Sequence, residues 1–160
     1  MENAMKIADV LTKDSIIKSL QATDKNGVLK EISETVSSLS PSLDADVLLK
    51  MLLEREEICS TALDHGVAVP HLRMHGLSEP VAAFARSVQG VDFGSLDGNP
   101  TYLFMVIIAS DSRADEYINL LARVTSALKS GEMRERLIKA GSTKDIFETL
   151  VEEDDRNGKR

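Results

Sequence analysis

Tryptophan is missing from this chain and aromatic residues make up only 4% of it, so the ring platforms that hold single-stranded nucleic acid have little to be built from. Cysteine occurs once, at Cys59, which excludes an internal disulfide and leaves too few thiolates for a structural zinc site. Positive charge is also short: 19 Lys and Arg face 26 Asp and Glu, a formal net charge of −7. The cations are scattered, so the concentrated basic patch of a nucleic-acid binder is lacking. No segment is apolar for long enough to cross a bilayer, and the opening MENAMKIADVLTKDS has neither the basic start nor the apolar run of a signal peptide. The expected location is the cytoplasm. The expected partner is a small anion, a metabolite or another protein.

The usual nucleotide and hydrolase fingerprints, GxxxxGK[ST], GxGxxG and GxSxG, do not occur either. What remains is ordinary soluble-domain chemistry, 42% hydrophobic and 28% charged. The 160 residues are enough for one domain with its own core. Residues 7–11 (IADVL) read as a short opening helix or turn and SIIKSL as a strand. Asp24 is placed to cap a helix carrying Val28, Leu29, Ile32, Val36 and Leu39; SPS at 40–42 ends it, and Asp44 can cap a second helix with Val47, Leu48, Met51 and Leu52 on one face. VAAFARSV reads as a strand. LFMVIIA, apolar on both faces, reads as a central strand covered by helices on both sides. From Ala114 the helical period returns, with Tyr117, Leu121, Val124 and Leu128 in one stripe, and two further helices are expected near 131–140 and 143–153, the second capped by Ser142 or Thr143. The pattern describes a three-layer α/β or α+β domain over residues 1–155. The end, EEDDRNGKR, reads as solvated, with residues 156–160 a frayed tail.

All three histidines fall within DHGVAVPHLRMHG, residues 64–76. GVAVP is a short strand stopped by Pro70, since proline lacks the backbone donor that pairing needs. His71 is then the first residue past a strand end, where side chains leave a sheet and ligands tend to bind. Imidazole is the side chain that is both neutral and nucleophilic near neutral pH, one ring nitrogen attacking while the other holds a tautomer-fixing hydrogen bond. Attack on phosphorus would need cations or donors aimed at the phosphoryl oxygens. Arg73, two residues on, and Arg55, at the end of the second helix, are candidates; a plain surface charge is the alternative for Arg73. A metal site through His65, His71 and His75 is the rival chemistry, weakened because the residues after Pro70 lack a clear helical pattern and HGVAVPH is not HExxH. His75 reads as solvated, Asp92 and Asp97 as turn formers, and Cys59 as a small buried hydrophobe.

The segment LLEREEICSTALDHGVAVPH resembles the signature of the type-2 IIA domains, fructose/mannitol class, of the bacterial phosphoenolpyruvate-dependent sugar phosphotransferase system, in which LLxREE precedes G(I/V)A(I/V)PH. LARVTSAL and LIKAGSTKDIFETL are similar to that family's C-terminal helices, and MKIADVLTKDSIIKSLQATDKNGVLKEISE to its stand-alone nitrogen-regulatory branch. The resemblance implies a mixed sheet between helices on both faces, no cofactor, and a histidine, His71 here, that accepts a phosphoryl group from the histidine phosphocarrier protein. Transporting members pass it to a cysteine on a IIB domain. It also implies that Arg55 lines the pocket.

Two positions depart from the family pattern. Where transporting members have a second histidine in an EHLxLLA-like context, DEYINLLA supplies Tyr117, whose hydroxyl can donate a hydrogen bond but carries no positive charge at neutral pH. His65 stands where relatives are often polar or acidic and is a candidate replacement for that imidazole; a role for Tyr117 as part of the core is the alternative. No IIB or IIC segment is fused in this sequence, so a regulatory member is expected, signalling its phosphorylation state through protein contacts. The other reading is a IIA-like binding module that has lost efficient transfer.

Overall fold

The computed structural model describes residues 5–158. The first four residues of the expected domain and the last two of the expected tail lie outside that range. In chain order the elements are α1 (Ile7–Val10), a 3-10 turn (Lys13–Ser15), β1 (Ile16–Ile17), α2 (Lys25–Leu39), α3 (Ala45–Ile58), β2 (Val67–Ala68), β3 (His71–Met74), β4 (Val81–Val91), β5 (Thr101–Ser110), α4 (Ala114–Leu128), α5 (Gly131–Lys139) and α6 (Thr143–Gly158). The starts of α2, α3, α5 and α6 are set by side-chain caps. Asp24 accepts the Gly27 N–H at 2.7 Å, Asp44 that of Val47 at 3.0 Å, Ser130 that of Met133 at 3.2 Å and Ser142 that of Asp145 at 3.1 Å.

The strands form a mixed sheet in the order β1-β4-β5-β2, with β3 also on β5. β1 runs parallel to β4, β4 antiparallel to β5, and β2 and β3 both parallel to β5. The central position of β5 is dictated by composition. Leu103, Met105 and Ile107 face a layer containing α1, α4, α5 and α6, while Phe104, Val106 and Ile108 face α2 and α3. A strand whose two faces are both apolar gains only when helices cover both, about 1.5–3 kcal/mol for each large side chain fully withdrawn from water.

Two expectations are corrected. GVAVP does not simply end at the proline. β2 and β3 pair with β5 in one continuous register, Val67 opposite Leu103 and His71 opposite Ile107, so the strand is interrupted at Val69–Pro70 and resumes at His71. An outer strand can carry a proline because its outward edge has no neighbouring strand waiting for the missing N–H. His71 therefore opens a strand rather than following one. The expected frayed tail is also helical as far as Gly158. The inward stripe Ile146, Thr149, Leu150 continues as Glu153 and Asp154, both buried. The Asp154 carboxylate accepts the Ile7 N–H and the Arg123 Nε–H, each at 2.9 Å, tying the end of α6 to α1 and α4.

Candidate functional site

The direction of the His71 side chain follows from the two-residue period of a strand. Val67 and Val69 pack into the core layer of α4, whereas Ala68 and Leu72 pack into that of α2 and α3. His71 and Arg73 share the parity of Val67 and Val69, which turns both toward α4. There the His71 and Tyr117 rings lie 6.0 Å apart, tilted by 44°, and the Arg73 guanidinium carbon sits 5.7 Å from the centre of the same tyrosine ring. Residues 61–63 cover the outer edge of β2 through Leu63 N–H to Val67 O at 2.7 Å and Val69 N–H to Thr61 O at 3.0 Å. This pairing reaches Val69, and His71 lies two residues beyond it.

The remaining cation comes from the opposite layer. Arg55 is in the last turn of α3, the end of a helix where a positive side chain is favoured, and its Nη1 donates to the Cys59 carbonyl at 3.0 Å. It is close enough to act electrostatically on both His71 and Tyr117. The structure thus brings His71, Arg73 and Tyr117 together at the edge of the sheet, within electrostatic reach of Arg55.

The nitrogens of His71 are distinguished by one contact. Nδ1 lies 2.5 Å from the Val69 carbonyl oxygen. Because that oxygen can only accept, Nδ1 carries the proton and the lone pair of the neutral ring is on Nε2. Partial burial is the largest influence on the ring and pushes its pKa below the ordinary histidine value. The Val69 hydrogen bond opposes this, the Arg55 charge adds to it, and the Glu56 charge opposes it. The net effect is an imidazole kept neutral, with Nε2 available as a nucleophile. Burial raises the pKa of the Tyr117 hydroxyl, against the pull of Arg55 and Arg73, so it stays a hydrogen-bond donor at neutral pH.

The other two histidines lie elsewhere. His65, expected as a possible substitute for the missing imidazole, is exposed and lines a cleft with Thr125, Leu128, Lys129 and Arg134, at the C-terminal end of α4. Tyr117 is in the first turns of that helix, and eight residues of α-helix span about 12 Å. His65 therefore cannot stand in beside His71. Its backbone takes a left-handed conformation, φ 67°, and its N–H donates to Asp97 at 3.2 Å. The Ser95 hydroxyl and the Asn99 and His65 N–H groups pull the Asp97 pKa down to about 2, so this aspartate shapes the loop, as its turn context suggests. His75 is exposed and 3.6 Å from Asp111. Cys59 is exposed rather than buried, a correction to its reading as a small hydrophobe, because it lies just past the end of α3.

Glu56, not among the residues expected from the sequence, lies buried beneath the sheet edge. Its buried carboxylate accepts from Lys25 Nζ at 2.9 Å, from the Thr61 N–H at 3.1 Å and from the Thr61 hydroxyl. The signal was present in EREE: Glu56 lies on the same helix face as Leu48 and Leu52.

The sequence pattern of the family described as phosphoenolpyruvate-dependent sugar phosphotransferase system, EIIA 2, matches residues 9–153. The nitrogen regulatory protein of Pseudomonas aeruginosa is 28% identical over 92% of this chain and 96% of its own length. The fructose-specific EIIABC component of Bacillus subtilis is 31% identical over 94% of this chain, which spans only 24% of that longer protein. Among solved structures, nitrogen regulatory protein IIA-Ntr from Neisseria meningitidis superposes with a TM-score of 0.85 at 26% identity, over 90% of this chain and 98% of that one. The IIA mannitol structure from Escherichia coli, 23% identical with a TM-score of 0.73 over 88% of this chain and 98% of that one, shares the fold. With a family match over nearly its whole length and a mixed sheet between two helical layers, this chain belongs to the EIIA 2 family of the phosphoenolpyruvate-dependent sugar phosphotransferase system.

Proposed function

We propose that Nε2 of His71 accepts a phosphoryl group from the phosphohistidine of the histidine phosphocarrier protein. The lone pair on Nε2 forms the new N–P bond while the N–P bond of the donor breaks, its electron pair returning to the donor imidazole. Arg55 neutralises the phosphoryl oxygens, with the Tyr117 hydroxyl and Arg73 as further donors, because positioning and charge stabilisation supply most of the catalysis of such a transfer. The observation that carries this reading is the Val69 carbonyl on Nδ1, which leaves Nε2 as the basic nitrogen.

Two fates of the phosphoryl group follow from the family: onward transfer to a cysteine on a IIB domain, or retention as a signal. The likeness to a protein named as a nitrogen regulator and to the IIA-Ntr structure supports the regulatory role, with the cytoplasm as the proposed location. A phosphoryl group adds close to two negative charges at the sheet edge, enough to make or break a docking surface there. The second reading, a binding module without efficient transfer, draws on Tyr117, whose uncharged hydroxyl is a weaker partner for a phosphoryl group than a cationic imidazole. Incubation with phosphoenolpyruvate, enzyme I and the phosphocarrier, followed by intact-mass measurement, separates the two. A gain of one phosphoryl group that is lost in His71→Ala supports transfer, and an unchanged mass in the unsubstituted chain refutes it.

A further inference from the structure

We infer that Glu56 is a positioning residue for His71: its buried carboxylate anchors Thr61, Thr61 anchors Val69, and the Val69 carbonyl fixes Nδ1 of the imidazole. The inference rests on His71 as the phosphoryl acceptor and adds what sets that histidine.

Each link is a contact. The Glu56 carboxylate accepts from the Thr61 N–H at 3.1 Å and from the Thr61 hydroxyl, and Lys25 Nζ holds it from the other side at 2.9 Å. The Thr61 carbonyl accepts the Val69 N–H at 3.0 Å. The Val69 carbonyl takes Nδ1 of His71 at 2.5 Å. Val69 precedes Pro70, so the peptide unit carrying that carbonyl has no N–H by which the sheet could orient it. The anchor on the Val69 N–H, with the Pro70 carbonyl held by the Ile107 N–H at 3.0 Å, aims the oxygen instead.

A neutral amide would satisfy one backbone N–H and a hydroxyl. The Glu56 side chain is only 3% exposed, and taking a carboxylate out of water costs several kcal/mol before its partners repay it. The Lys25 ammonium pairs with this charge at 2.9 Å and offsets part of that cost, and the reaction gives the charge a further use. As the Nε2–P bond forms, the ring becomes electron-poor and the Nδ1 proton more acidic, and a negative charge at the far end of the hydrogen-bonded chain favours that state over the neutral ring. The charged and titratable groups that face or act on the ring are Arg55 and Glu56 from α3, Arg73 from β3 and Tyr117 from α4. Arg55 and Glu56 act on its titration in opposite directions, so one helix turn sets a balance between a neutral nucleophile and a stabilised product.

The test is a ¹⁵N-edited NMR titration of His71 in the full chain, with phosphoryl acceptance measured in parallel. In Glu56→Gln the midpoint of His71 moves to lower pH and the acceptance rate falls about tenfold, the lower end of what changing an orienting partner costs at metal-bound histidines. Thr61→Val removes a buried hydroxyl bonded to the same carboxylate but leaves its charge and the backbone anchor, so the midpoint stays. Lys25→Met leaves the carboxylate without its cation and moves the midpoint to higher pH, which keeps the inference testable if Glu56→Gln does not fold. An unchanged midpoint in folded Glu56→Gln or in Lys25→Met overturns the inference, as does an equal shift in Thr61→Val. The titration does not depend on phosphorylation. Failure of the unsubstituted chain to accept a phosphoryl group would overturn the proposed function alone, with the midpoints still deciding the role of Glu56.

Discussion

Replacing Arg55 by methionine should slow phosphoryl acceptance and make His71 more basic. Methionine keeps the aliphatic bulk on the last turn of α3 and removes the charge. The guanidinium has five N–H donors, of which one serves the Cys59 carbonyl, leaving a planar fork suited to phosphoryl oxygens. Loss of one preorganised donor to a developing charge costs about 10²–10³ in rate, or about 2.7–4 kcal/mol, and the same fall is expected here for the rate of acceptance from the phosphocarrier. Arg55 is also among the influences holding the His71 pKa down, so the midpoint in Arg55→Met should rise while the rate drops. Arg55→Lys keeps the charge but not the fork, and should leave the midpoint near that of the unsubstituted chain while recovering only part of the rate. Stopped-flow transfer measurements and the NMR titration read the two effects separately, and a thermal melt excludes unfolding as the source of a raised midpoint. A rate in Arg55→Met within about threefold of the original, or a midpoint that falls, would refute the assignment.

The other predictions concern the neighbours and the frame. Tyr117→Phe removes a hydroxyl beside His71 and should slow acceptance, whereas His65→Ala, at the far end of α4, should leave the rate within about twofold; equal losses in steady-state assays would contradict the placement. Because the folded pKa of His71 is lowered, the acid limb of the acceptance rate should lie below the ordinary histidine value of about 6.5. The sign for stability is the same: the unfolded chain binds the proton more readily, so this contribution is present above about 6.5 and lost as pH falls below it, and His71→Gln should flatten that part of a urea-midpoint profile. Arg86 is buried on β4 and donates to the carbonyls of Lys18, Leu137, Ile138 and Ala140, closing the end of α5. Arg86→Met should cost about 3 kcal/mol, or about 6–12 °C in melting temperature by circular dichroism; a loss under about 2 °C would contradict the capping role.

Much of this frame is legible in the residues. The caps at Asp24 and Asp44 and the helical stripes on α2 and α4 are local properties, and the unbroken apolar run of β5 announces a strand covered on both sides. The order of the strands is not local, since nothing in VAAFARSV or LFMVIIA states which strand lies on which side. EEDDRNGKR reads as solvated charge, yet α6 runs on to Gly158. The stripe from Ile146 to Leu150 extends onto Glu153 and Asp154, and only tertiary partners, Ile7 and Arg123 for the second of them, turn a carboxylate inward. His65 misled for the converse reason. It is near His71 in the chain, but an extended strand carries six residues about 20 Å, and sequence proximity across a strand means distance. Glu56 is the residue most open to detection, because a glutamate in phase with Leu48 and Leu52 has to find a partner when the helix packs.

The central claim, that Nδ1 of His71 is tied to the Val69 carbonyl and Nε2 carries the phosphoryl group, is tested by ¹H–¹⁵N and ³¹P NMR of the ¹⁵N-labelled chain after phosphorylation. The account predicts a phosphorus coupling to Nε2 with Nδ1 still protonated. A coupling to Nδ1, or a phosphoryl group on any other residue, would contradict it.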